Sequence, residues 1–89
     1  MTKLIQSLSS LATLADQSSD ASKIISAVQV VKTFVQESKK QNDASKAMLL
    51  EQLETELGTW QTKLSVILNE PAGKKGMVKH VRFWIEKLK

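Results

Sequence analysis

The chain has 89 residues, a formal net charge of +4 and no cysteine. That length supports one domain rather than two independent cores, and the missing cysteine excludes disulfides and thiolate metal sites. Three glycines, one proline and no tyrosine are too few for an all-β domain, which needs a turn roughly every eight to twelve positions. The longest unbroken apolar run is Ala47 to Leu50, too short to span a bilayer, and no basic start leads into a run of signal-peptide length. The expectation is a soluble, cytoplasmic, all-α domain covering residues 1–89.

A first helix is expected over about residues 2–16. Leu4, Leu8, Leu11 and Ala15 recur at four-three-four spacing, and Ile5, Ala12 and Leu14 widen the stripe. Gln17 to Asp20 is a polar break in which Ser19 or Asp20 can accept the free amide hydrogens of the next helix.

The second helix is expected over 21–40. Ile24, Ala27, Val28, Val31, Phe34 and Val35 lie on one side, with Ala21, Ile25 and Val30 extending it to about half the circumference. An arc that wide predicts packing against two neighbours. The β-branched run Ala27–Val35 resembles a strand, but no second strand exists to pair with it.

Asn42 or Asp43 is positioned to cap a third helix over 43–69. Leu50, Leu53, Leu57, Trp60, Leu64 and Ile67 alternate three-four spacing, the seam of a coiled coil or antiparallel bundle. Gly58 inside it reads as a tolerated flaw or as a close approach of another helix. Pro71 disfavours helical geometry at Glu70 and ends the helix. Residues 70–76, which include Gly73-Lys74-Lys75-Gly76, are expected to form a flexible loop before a fourth helix over 77–89. The short connections predict a compact, mostly antiparallel four-helix bundle. Helices two and three are expected at its centre, with Val31, Phe34, Val35, Leu53, Leu57, Trp60 and Leu64 as core.

Catalysis and cofactor chemistry find little support. His80 is the only histidine, and no cysteine or tyrosine can assist it. It reads as a solvated residue on a basic helix. The ten serines fall mostly at helix ends and on polar faces. No paired metal-ligand spacing occurs, and Glu51, Glu54 and Glu56, which do not share one face, read as solvated surface. The Gly73–Gly76 segment lacks the phosphate-loop pattern and a preceding strand. No catalytic, metal or cofactor-binding residue is therefore expected, and the expectation is a non-enzymatic module.

The last twenty residues hold the net charge, with five lysines and Arg82 against Glu70 and Glu86. On a wheel, Met77, Val78, Val81, Trp84, Ile85 and Leu88 share one face. Phe83 falls on the other, between Lys79 and Lys87 at i−4 and i+4. Three readings compete. The lysines serve solubility while a neighbouring element covers Phe83. Alternatively, Lys74, Lys75, Lys79, His80, Arg82, Phe83 and Lys87 form a contact surface for an acidic or apolar groove of a protein partner, or for a second copy of the chain. In the third, the same cations meet nucleic acid or an anionic membrane. Twelve lysines against one arginine count against base-specific readout.

Overall fold

The computed structural model describes residues 2–41 and 44–89, which form α1 (Thr2–Gln17), α2 (Ala21–Gln41), α3 (Ala44–Asn69) and α4 (Pro71–Leu88). Each periodic stripe becomes a buried face. The stripes supply Leu4, Leu8, Leu11, Ala12 and Ala15 from α1, and Ile24, Val28, Val31 and Val35 from α2. Leu50, Leu53, Leu57, Trp60 and Leu64 enter from α3, and Met77, Val78, Val81, Trp84 and Leu88 from α4. Full burial of each large side chain contributes roughly 1.5–3 kcal/mol before the entropy of ordering is subtracted.

Cross-helix pairs fix the antiparallel order. On the α2–α3 seam, Gln61 Nε2 donates to Gln29 Oε1 at 3.0 Å, while Lys39 meets Glu54 at 3.6 Å and Glu51 at 4.0 Å. At the far side, Lys74 near the start of α4 donates to Ser19 just beyond α1 at 3.3 Å. Neighbours in sequence are neighbours in space, and α4 closes the ring against α1. Among the described residues, the diagonal pairs α1–α3 and α2–α4 make no close backbone approach. The bundle measures 38 × 21 × 17 Å. Its long axis matches α3, whose 26 residues at ~1.5 Å rise span about 39 Å.

Helices two and three are therefore not a centre. The core is shared by four faces, because a square of helices buries one stripe of each. The apolar arc of α2 is also narrower in effect than its composition suggests. Ile25 is 40% exposed and Val30 50%, and Phe34 packs against the core only from its rim.

The connections differ in kind. At the start of α2, Asp20 Oδ1 accepts from the amides of Ser22 at 3.0 Å and Lys23 at 3.4 Å, the side-chain cap expected there. Ser18 Oγ accepts in turn from the Asp20 amide. The expected cap at Asn42 or Asp43 lies outside the described residues.

The flexible loop over 70–76 is corrected outright. Only Glu70 separates α3 from α4. Its backbone is extended (φ −112°, ψ 123°), as a residue before proline prefers. Pro71 then occupies the first helical position, where its missing N–H costs nothing. The amide of Lys74 donates to the Glu70 carbonyl at 3.1 Å, and the helix is under way. Gly73 makes the corner possible: a Cβ there would sit 2.7 Å from the Ile67 carbonyl oxygen.

Candidate functional site

The seam between α3 and α4 gathers most of the aromatic side chains. Trp60 and Trp84, one from each helix, are only 6% and 4% exposed and lie beneath the surface. A buried indole N–H needs an acceptor. Trp84 Nε1 finds one in Glu56 Oε2 at 2.8 Å. The other oxygen of the same carboxylate meets His80 Nδ1. One α3 side chain thus holds two α4 rings, an i, i+4 pair on that helix.

His80 then carries the cluster outward. Its ring stacks on Phe83 with centroids 5.5 Å apart and planes 27° from parallel, while Trp60 approaches it edge-on at 6.4 Å. Phe83 also meets Trp84 edge-on at 5.9 Å, and Lys87 Nζ stands 5.1 Å from the Phe83 centroid. Phe83 remains 48% exposed. No described helix covers it, and its contacts come from α4 itself: His80, Trp84 and Lys87.

The expected surface residues separate into groups. His80, Phe83 and Lys87 come together in the cluster. Lys75, Lys79 and Arg82 are exposed along the outer side of α4 and, among the described residues, have no carboxylate within ion-pair distance. Lys74 does not join them, because it turns toward Ser19 on the α1 side. Among nearby acids, Glu56 faces inward and Glu86 pairs with Lys89 at 3.3 Å.

Two expectations need correction. His80 is about half exposed, but it is tied to Glu56 and packed among rings rather than simply solvated. Of the acidic trio, Glu51 is exposed, whereas Glu54 and Glu56 keep only 28% and 21% of their side chains accessible. The angular separation read from the sequence holds: Glu51 and Glu54 face Lys39 on α2, and Glu56 faces α4. Its position one turn before Trp60, beside the leucine seam, was the available signal for a role between helices.

The opposite seam offers a contrast. Between α1 and α2 runs an open groove of about 550 Å³, with Ala27, Val30 and Phe34 as floor and Ser7, Ser10 and Lys3 along its edge. Among the described residues, Lys3 is its only charged lining residue. Among the described residues, no three His, Asp or Glu side chains converge as a metal site would require, and no helix is long and apolar enough to cross a membrane. No protein-family model, curated protein or solved structure matches this chain.

Proposed function

We propose that this chain is a small non-enzymatic interaction module that docks a protein partner through the outer side of α4. One observation carries the reading: Phe83 is a half-exposed ring packed against His80 and Trp84, among cations that pair with no carboxylate of the described residues. Aromatic anchors set in a fixed surround are the usual centres of binding energy at protein interfaces. Holding the ring before binding lowers the ordering cost of association. A cytoplasmic setting is in keeping with a chain that has no cysteine.

Binding of nucleic acid is the second reading, favoured by Lys75, Lys79, Arg82 and Lys87, which pair with no carboxylate among the described residues. Insertion into an anionic membrane has less support, since Met77, Val78, Val81, Trp84 and Leu88 are already used inside the bundle. Self-association through α4 would be an adaptor of another sort, and solution mass at low and high salt tests it directly.

The deciding experiment pans a displayed library of random peptides against the folded chain and against Phe83→Ala. Selected peptides should lose about tenfold or more in affinity on Phe83→Ala and little on loss of any one lysine. Equal affinity for both proteins overturns the reading. A steep fall in nucleic-acid binding with salt, with a similar step for each lysine removed, would move the assignment to the second reading.

A further inference from the structure

We infer that the partner presents an acidic α-helix, lying along α4 with an apolar anchor over Phe83 and carboxylates four residues to either side of it. This rests on the reading of α4 as a protein-docking face and gives that face a specific occupant.

Register comes first. Lys79, Phe83 and Lys87 stand at successive four-residue intervals on a continuous helix, each step about 6 Å along the axis. A helix laid beside α4 repeats its own side chains at the same interval, so an apolar residue and its i−4 and i+4 neighbours meet all three positions together. An extended peptide would bring unpaired backbone groups to a surface with no sheet edge to receive them, whereas a helix satisfies its own.

Charge comes second. Among the described residues, Lys75, Lys79 and Arg82 have no acidic partner, and Lys87 meets the Phe83 ring rather than a carboxylate. The carboxylate closest to the cluster, Glu56, is turned inward to His80 and Trp84. Glu86, exposed three residues beyond Phe83, pairs with Lys89, so the face keeps a surplus of positive charge that a carboxylate-bearing partner complements.

Room comes third. Gly76 lies two turns before Phe83 on the same side of α4, and a Cβ built there meets nothing within 4 Å. Ala72 sits one turn further back and is exposed. The stripe is thus low over its first turns, from Ala72 to Gly76, before it reaches Lys79, His80 and Phe83. A second helix can approach closely there while its anchor rests on the ring.

The test uses the full chain, isotopically labelled, and three synthetic helical peptides of equal length. One carries leucine flanked by glutamates at i−4 and i+4, one has the same composition with the glutamates moved by two residues, and one replaces glutamate by glutamine. The first should bind one to one, with amide shifts confined to the outer side of α4. Its affinity should fall about tenfold on Phe83→Ala. It should also fall on Gly76→Trp, a substitution into open space that circular dichroism should show to be folded. Equal binding of the moved or neutral peptide overturns the inference, as does absence of any shift at millimolar peptide. So does a single-stranded oligonucleotide of equal charge that binds more tightly than the matched peptide, or a solution mass that doubles without any peptide. Library peptides that depend on Phe83 but lack this acidic spacing would sink the helix while leaving the docking face intact. No Phe83-dependent peptide of any kind would remove both.

Discussion

The turn from α1 to α2 and the turn from α3 to α4 do the same job by opposite means. The first takes three residues and closes with side chains: Ser18 holds the Asp20 amide, and Asp20 holds the first amides of α2. The second takes one residue and closes by proximity, with Gly73 set against the Ile67 carbonyl and no side-chain cap at Glu70. The surfaces follow the turns. Beyond the first lies a groove with one charged lining residue; beyond the second, a cross-linked aromatic cluster under a basic helix. A capped turn depends on one carboxylate and leaves its neighbours free to change. A close-packed corner depends on an atom being absent, and further along the same seam one α3 residue, Glu56, reaches two rings of α4.

If that contrast is right, Gly73→Ala should be the most damaging small change in either turn. The added methyl would meet backbone rather than a flexible side chain, and the cost should approach the upper end of overpacking, about 3 kcal/mol. Denaturant unfolding measures it, and a loss no larger than that of a surface alanine would show that the corner has slack. Next comes Glu56→Ala, expected at about 2 kcal/mol because it leaves the buried Trp84 N–H without an acceptor. The same variant should release His80 from Phe83, visible as altered ring-proton shifts of Phe83, whereas a purely local loss would leave those shifts in place. Asp20→Ala should cost about 1 kcal/mol, the usual value of a helix cap. At about 4–8 °C per kcal/mol in a domain of this size, thermal unfolding resolves it; no change would mean that Ser18 or water replaces the cap. The smallest effects should carry the opposite sign. Gly58→Ala and Gly76→Ala add a methyl where nothing stands within 4 Å, and each should stabilise by about 0.5–1 kcal/mol. Destabilisation by Gly58→Ala would revive the close helix approach that its place in the sequence allowed.

The parts of the molecule legible in the sequence were those that depend on spacing. Leu50, Leu53, Leu57, Trp60 and Leu64 were readable as a seam because a helix repeats its faces regardless of its neighbours. Asp20 was readable as a cap because its hydrogen bonds are local. Pro71 misled because proline says two things: it ends the helix before it and starts the one after it. Glycines beside lysines suggested a loop, when one of those glycines was there to let two helices touch. Within the candidate site, Phe83 and its lysines were visible as a break in the polar face. Glu56 was less so: its place beside the leucine seam hinted at a role between helices, but its partners lie 24 and 28 positions away and spacing alone does not name them.

A reversal made by a single residue has one obvious competitor, which is no reversal at all. Straightened through Glu70, α3 and α4 would become one rod, and α4 would leave its own bundle to complete that of another copy. Pro71 closes this route. It has no N–H to give to the Ile67 carbonyl, and its ring would strike that same oxygen in a continuous helix. The residue that opens α4 at the corner also disfavours the straight rod through which that helix would pass to another copy.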